Sequence, residues 1–153
     1  MVEMGSEYIQ RLRHKVGHDL LLLPSVTILT FDENRRVLLL RHANHDVWVA
    51  PRGMIEPDET PAMAAHREMQ EETGCAIDLT QIIGVYGGPE FRVQYENTDE
   101  VAYVMIVYQA TIREGIPRPN GTESREVRYF SAAEIGGLSS AAWLPVVFRD
   151  VFR

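Results

Sequence analysis

A helix whose beginning and end are both encoded in the sequence narrows the range of folds more than any other segment. Thr60 is a favourable N-cap residue, and Pro61 is a favourable first helical residue. The helix is predicted to run to about Thr73, because Gly74 can adopt the left-handed conformation that ends a helix. Strand-like segments flank it on both sides. The sequence therefore predicts an α/β fold with a mixed β-sheet sandwiched between helices (α/β/α).

The flanking segments are rich in the aliphatic and β-branched residues that strands favour. Residues 20–31 predict one or two strands, a turn follows at residues 32–35, and residues 37–40 return, which indicates a hairpin. Further extended segments are predicted at Val47–Ala50, Ile77–Val85, Val101–Ile112 and Val127–Phe130. Breaks with Gly, Pro and polar residues separate them, as expected for strands of a single sheet-containing unit.

Helices are also predicted towards both ends of the chain. Apolar residues recur at helical spacing over residues 8–16, which predicts a short amphipathic helix. Residues 131–134 have the spacing of a capping box, and Pro145 favours the start of a final helix. A length of 153 residues suits one compact unit, which we divide into an N-terminal helix at residues 1–19 and a main domain at residues 20–153.

Composition and charge argue against several classes of protein. The formal net charge of −7 disfavours binding to a nucleic-acid duplex, which needs a basic face. A single cysteine, Cys75, forms no internal disulfide and favours a reducing, cytoplasmic location. No apolar run is long enough to cross a membrane, and the first residues do not resemble a secretory signal. The negative net charge is compatible with a small phosphorylated substrate, which needs only a local cluster of cations. The sequence also leaves a homodimer open.

Three glutamates of the central helix share one of its faces. Glu68, Glu71 and Glu72 are spaced i, i+3 and i+4, which places them on an arc of about 100°. Like charges this close repel one another, and a hard divalent cation with oxygen ligands would offset the repulsion. The Gly53 carbonyl in the preceding loop could face the same cation, and Arg67 is placed to hold a loop carboxylate. A solvated acidic helix face is the alternative for the glutamates alone.

The segment from Gly53 to Cys75 resembles the Nudix box, G-x5-E-x7-R-E-U-x-E-E-x-G-U, in which U is a bulky apolar residue. Met69 and Cys75 fill the apolar positions. The fixed positions are all met, by Gly53, Glu59, Arg67, Glu68, Glu71, Glu72 and Gly74. Such a match is far more specific than a lone glycine-rich loop. The wider resemblance covers about residues 20–152 and implies a Nudix fold, with the N-terminal helix as an addition.

The resemblance implies a role for each box residue. Glu68, Glu71 and Glu72 would be catalytic metal ligands for Mg²⁺ or Mn²⁺, together with the Gly53 carbonyl. The general base would be one of these glutamates or a residue outside the box. Arg67 joins this catalytic set as the residue that fixes the loop. The structural positions of the box are Gly53, Glu59 and Gly74.

A further acid from a later loop often completes sites of this family. The candidates are Glu100, Glu123 and Glu126, and Glu126 is taken here as the additional metal ligand.

Five residues outside the box are candidate substrate contacts, because arginines bind phosphates and aromatic rings stack on nucleobases. They are Arg41, Arg52, Arg92, Phe91 and Tyr95. The resemblance implies hydrolysis of the diphosphate of a small nucleotide. Pro89 lies near the position of a proline in some ADP-ribose-cleaving relatives, which favours nucleoside diphosphate sugars. Nucleoside triphosphates and dinucleoside polyphosphates are alternatives, as is a non-catalytic nucleotide-binding sensor.

Overall fold

The computed structural model describes residues 6–152. Within them the helices are α1 (Glu7–Val16), α2 (Pro61–Thr73), α3 (Ala132–Ile135) and α4 (Leu144–Val151). The strands are β1 (Leu21–Thr30), β2 (Val37–His42), β3 (Trp48–Val49), β4 (Arg52–Met54), β5 (Ala76–Tyr86), β6 (Arg92–Gln94), β7 (Glu100–Glu114) and β8 (Ser124–Phe130). A 3₁₀ turn at Pro89–Phe91 joins β5 to β6. Across this part of the chain, no helix is both long and apolar enough to cross a membrane.

The larger sheet has five strands and is mixed. β1 pairs in parallel with β7, from Leu21 opposite Val101 to Thr30 opposite Ala110, and its other edge pairs with the antiparallel β4. β5 and β6 both pair with β7 in antiparallel orientation. Residues 25–30 of β1 are buried without interruption. A strand covered on both faces is expected to be apolar throughout, which explains the long aliphatic run in the sequence.

The hairpin predicted over residues 20–40 is wrong. β2 belongs to a second, three-stranded antiparallel sheet, in which it lies between β3 and β8. Among residues 6–152, direct pairing between the two predicted arms is limited to an isolated bridge from Phe31 to Val37. Val37–Leu40 is fully buried. β1 pairs with β7 and β2 pairs with β8, and both partners lie far along the chain. A strand buried on both faces needs neighbours and cover that a two-stranded hairpin does not provide.

Helices cover both faces of the five-stranded sheet. Val26 and Ile28 of β1 face α2, which packs against them through Ala64, Ala65 and Met69. Leu23 and Leu29, which point to the opposite face, belong to a larger aromatic core that also contains residues of α1 and α4. Small residues on α2 let the helix approach the strands closely. The predicted α/β architecture is therefore confirmed.

The N-terminal helix predicted from the sequence is also present. Ser6 caps α1 by accepting a hydrogen bond from the Ile9 N–H at 3.3 Å, and Ile9 is buried in the core. Arg13 donates to the Glu100 carbonyl at 2.9 Å and pairs with Asp99 at 3.4 Å. α1 is thus held to the start of β7 by polar contacts and to the core by its apolar side.

Candidate active site

The caps of α2 are those that the sequence predicts. The Thr60 Oγ1 accepts a hydrogen bond from the Met63 N–H at 3.1 Å. Gly74 ends the helix with a φ of 76°, in the left-handed region that glycine tolerates. Because both ends of the helix are fixed, helical periodicity determines which residues of α2 face the edge strand β4 and which face β1 and β5 of the same sheet.

The three glutamates of α2 differ in burial. Glu68 and Glu72 are 9% and 8% exposed, whereas the Glu71 side chain is 58% exposed. A solvated acidic face would leave all three in water, so the burial of two carboxylates argues against that alternative. Burial raises the pKa of Glu68 to about 7, although Arg67 opposes the change, and raises the pKa of Glu72 well above its usual range. Their charged forms are therefore costly unless a cation compensates them.

Arg67 joins the loop before α2 to the helix. Its Nε and Nη2 donate to the two carboxylate oxygens of Glu59 at 2.7 and 2.9 Å, which makes a bidentate pair. Nη2 also donates to the Met54 carbonyl at 2.9 Å, and Nη1 donates to the Glu68 Oε1 at 2.7 Å. The Glu71 Oε2 lies 3.4 Å from Nη1. The guanidinium thus holds the loop, β4 and the glutamate face in one network.

The backbone of β4 lies directly beside the buried glutamates. A Cβ atom at Gly53 would lie 2.0 Å from the Glu68 Oε1 and 2.6 Å from its Oε2, so only glycine leaves room for this carboxylate. The Arg52 N–H donates to the Glu72 Oε2 at 3.0 Å. The missing side chain of Gly53 therefore explains its place in the box, while a ligand role for its carbonyl stays a prediction.

The box residues line a cavity of about 280 Å³. Its acidic lining residues are Glu56, Glu68, Glu71, Glu72 and Glu123. Its apolar lining residues are Leu40, Val49 and Met54. Arg52, Arg67 and His42 also contribute to the wall. Convergence of charged groups with an apolar surface in one cavity is typical of a site for a small polar ligand.

Glu123, rather than Glu126, is the later acid at this cavity. Glu126 lies within β8 and pairs with Arg41 at 3.3 Å, and neither it nor Glu100 lines the cavity. The charge of Glu123 contributes to the raised pKa values of both buried glutamates of α2. The structure therefore favours Glu123 over Glu126 as the further acid, because Glu126 pairs with Arg41 instead, and a ligand role for either stays a prediction.

Asn120, which the sequence analysis missed, organises the loop that carries Glu123. Its Oδ1 accepts hydrogen bonds from the backbone N–H groups of Thr122, Glu123 and Ser124 at 3.0, 2.9 and 3.2 Å. The Glu123 carbonyl accepts from the Ala43 N–H at 2.9 Å, which ties this loop to the one after β2. An Asn followed by Gly in a loop is the sequence signal for such an Asx turn.

Neither of the two predicted aromatic contacts lines the cavity. Phe91 is 1% exposed and Tyr95 is 6% exposed, and both belong to the hydrophobic core. The Phe91 ring stacks between Tyr86 and Trp143, with ring centroids 5.9 and 6.2 Å away. Rings enclosed in this way are not accessible to a nucleobase, so these two predictions are corrected.

The structure brings one of the three predicted arginines, Arg52, to the cavity. Arg41 is held by ion pairs to Asp46 and Glu126, and Arg92 is exposed on β6 and is not among the lining residues. The structure therefore does not bring Arg41 and Arg92 to the cavity, and their role as phosphate contacts stays a prediction.

The donor set fits a hard divalent cation in its chemistry. Carboxylate oxygens are the ligands that Mg²⁺ and Mn²⁺ prefer, and the buried Glu68 and Glu72 would gain from a cation. In the part of the chain that the structure describes, no three acidic, His or Cys side chains converge in a ready ligand geometry. Arg67 instead holds one oxygen of Glu68 and lies close to Glu71.

The fold and this site define the class of protein. The chain belongs to the NUDIX domain family, whose model matches residues 21–150. It is 31% identical over 111 residues to a MutT-like protein of Streptomyces ambofaciens, a match covering 72% of this chain and 65% of the relative. It is 40% identical over 65 residues to an RNA pyrophosphohydrolase of Pseudomonas putida strain KT2440, covering 42% of this chain and 41% of the relative. The chain thus spans less than two thirds of these relatives.

Solved structures show the same fold at low sequence identity. A UDP-X diphosphatase superposes with a TM-score of 0.69 at 17% identity, covering 97% of this chain and 71% of that protein. The NUDIX domain of Shewanella oneidensis NrtR, solved with ADP ribose, superposes with a TM-score of 0.63 at 19% identity. That match covers 99% of this chain and 97% of the domain. The predicted Nudix fold is confirmed.

Proposed function

We propose that the protein is a divalent-metal-dependent pyrophosphohydrolase that cleaves the diphosphate link of a nucleoside diphosphate derivative. The observation that carries the proposal is the burial of Glu68 and Glu72 in the wall of a cavity that Arg52 and Glu123 also line. Relatives named RNA pyrophosphohydrolase and a structural neighbour named UDP-X diphosphatase support the reaction class.

Mg²⁺ or Mn²⁺ would be held by Glu68, Glu71 and Glu72, with Glu123 as the further acid. When bound, the cation supplies charge neutralisation at the phosphates and makes water a better nucleophile. The chain itself binds and orients. Arg52 offers a guanidinium for a charge-assisted contact to a phosphate, and one carboxylate of the set takes the proton of the attacking water.

A nucleoside diphosphate sugar such as ADP-ribose is the proposed substrate class. The cavity combines acidic residues with apolar side chains of Leu40, Val49 and Met54, which give the uncharged half of such a substrate a surface to contact. A structurally similar NUDIX domain binds ADP ribose in its solved structure, which supports this choice. Nucleoside triphosphates, dinucleoside polyphosphates and capped RNA ends belong in the same test.

The test is a panel of these substrates with Mg²⁺ and with Mn²⁺, scored by identifying the products. The Glu72→Gln variant removes a buried candidate ligand, and turnover should fall by orders of magnitude while the fold is retained. Glu33→Gln is the matched control, because it removes the same charge from an exposed turn, and it should behave as the wild type. Near-normal activity in Glu72→Gln would contradict the site, and no turnover of any member by the wild type would favour a non-catalytic sensor.

A further inference from the structure

His42 is a cavity residue that the box and the proposed ligands leave unexplained. It is the last residue of β2, and a register shift between Arg41 and His42 interrupts the pairing with β8. Arg41 turns to its carboxylate partners, whereas His42 lines the cavity with Glu68 and Arg52. Bulges of this kind redirect side chains beside functional sites.

The backbone around His42 is held on both sides. The His42 N–H donates to the Val47 carbonyl at 2.9 Å, and the next residue, Ala43, donates to the Glu123 carbonyl at 2.9 Å. The imidazole ring lies 4.8 Å from the His45 ring, at an interplanar angle of 36°. The position of the ring is therefore fixed relative to the loop that carries Glu123.

One hydrogen bond also fixes which nitrogen of His42 carries the proton. The Nδ1 accepts a hydrogen bond from the Asn44 N–H at 3.0 Å, and an accepting nitrogen has no proton. The neutral ring therefore carries its proton on Nε2, which makes Nε2 a donor. Burial, with the fields of His45 and Arg52, lowers the pKa of His42, so the ring stays neutral at pH 7.

The neighbouring charges indicate which kind of group this donor suits. His42 and Arg52 both line the cavity, and the field of Arg52 contributes to the lowered pKa of His42. A cation and a neutral donor in the wall of one cavity suit an oxyanion with more than one free oxygen. When some oxygens of a bound diphosphate face the acidic lining, its remaining non-bridging oxygens can accept hydrogen bonds from His42 and Arg52.

We propose that the His42 Nε2–H donates a hydrogen bond to a non-bridging oxygen of the substrate diphosphate, in the cavity that Arg52 also lines. His42 is then a substrate-binding residue that selects for the diphosphate and leaves the nucleoside to other parts of the cavity. This inference rests on the proposed function for the identity of its ligand, but its test does not need turnover.

The test is calorimetric titration with methylenediphosphonate, a diphosphate mimic without a nucleoside, in the presence of Mg²⁺. His42→Ala should weaken binding by about tenfold to a hundredfold, the usual effect of losing a hydrogen bond to a charged group. His42→Gln places an amide N–H near the position of Nε2 and should retain most of the affinity. His14→Ala is the matched control, because it removes an exposed imidazole of α1 that does not line the cavity, and it should bind as the wild type.

Each alternative outcome has a defined meaning. Equal binding by His42→Ala and the wild type overturns the inference, as does an equal loss in His14→Ala or a failure of His42→Gln to restore affinity. No binding of the mimic by the wild type also counts against it. If His42→Ala weakens binding of ADP but not of methylenediphosphonate, the contact is to the nucleoside and the proposal is wrong. If the wild type turns over a substrate and His42→Ala binds the mimic as the wild type does, only this inference is wrong. If binding of the mimic depends on His42 but the wild type turns over no substrate, only the hydrolase proposal is wrong.

Discussion

Replacing Arg67 tests whether the loop and the glutamate face are held together as the structure indicates. The guanidinium makes four hydrogen bonds of 2.7–2.9 Å, two to Glu59, one to the Met54 carbonyl and one to Glu68. The side chains of Glu59 and Glu68 are both 12% exposed. Arg67→Ala would leave these two carboxylates largely buried without their cation. The free energy of unfolding should then fall by about 3–5 kcal/mol, the usual cost of removing one partner of a buried ion pair.

Arg67→Lys separates charge from geometry. An ammonium group keeps the charge but cannot reproduce the bidentate pair with Glu59 together with the contact to Met54. Its loss should be intermediate, about 1.5–3 kcal/mol, equivalent to one charge-assisted hydrogen bond. A double-mutant cycle of Arg67→Ala with Glu59→Gln should give a coupling energy of about 0.5–3 kcal/mol.

The assay is urea unfolding at pH 7.5 with a chelator, so that metal binding does not contribute. Arg113→Ala is the control, because Arg113 pairs with Asp78 at 3.8 Å on the surface and both side chains are about 60% exposed. An exposed pair of this kind contributes about 0–1 kcal/mol. If Arg67→Ala costs no more than Arg113→Ala, the network does not stabilise the fold and the argument fails.

Three further predictions follow from the same site. Because the pKa of Glu68 is raised from 4.5 to about 7 in the fold, the metal-free folded state binds the proton more tightly than the unfolded chain. The stability that this group contributes is present below about pH 4.5 and falls by about 3 kcal/mol as the pH rises through 7. The free energy of unfolding of Glu68→Gln, measured in urea, should lack this part of the pH dependence. The same dependence on pH in Glu68→Gln and the wild type would contradict the prediction. Gly53→Ala should displace Glu68 and lower kcat at least about tenfold, whereas Gly87→Ala, whose added Cβ would lie 3.7 Å from its nearest neighbour, should leave kcat unchanged. Asn120→Ala should lower kcat by loosening the Glu123 loop and Asn120→Asp should restore it, since aspartate keeps the accepting oxygen; equal rates in the two variants would contradict a positioning role.

Features that depend on a few adjacent residues could be predicted from the sequence. α2 begins and ends where Thr60 and Gly74 indicate, because caps act through hydrogen bonds within one turn of the helix. The capping box at Ser131 is confirmed for the same reason, with both of its reciprocal hydrogen bonds formed. The spacing of Glu68, Glu71 and Glu72 also predicted that they share one face of the helix, and all three line the cavity.

Features that depend on distant pairing could not be predicted in this way. The turn between β1 and β2 is typical of a hairpin, yet the strands enter different sheets, because their partners β7 and β8 lie far along the chain. Phe91 is an aromatic residue that could stack on a ligand, but Trp143, which directly precedes α4, and its neighbours in the core enclose it. Glu123 and Glu126 differ only in position within the loop and strand, and the pairing of β2 with β8 decides which of them reaches the cavity.

The two buried glutamates share an arrangement that explains how a cationic residue and a metal cation can use the same helix face. The Glu68 Oε1 accepts from Arg67, and the Glu72 Oε2 accepts from the Arg52 N–H. In each case one oxygen is oriented by a donor of the surrounding protein, and the second oxygen is left for a ligand. Partners of this kind set the direction of a ligating carboxylate, and losing one typically costs about tenfold to a hundredfold in metal affinity or activity. Arg67→Ala should therefore weaken Mn²⁺ binding although it removes a positive charge from the site. Arg67→Lys keeps the charge but loses the geometry, and it should weaken Mn²⁺ binding as well. Tighter binding in Arg67→Ala would mean that repulsion by the guanidinium outweighs its orienting effect.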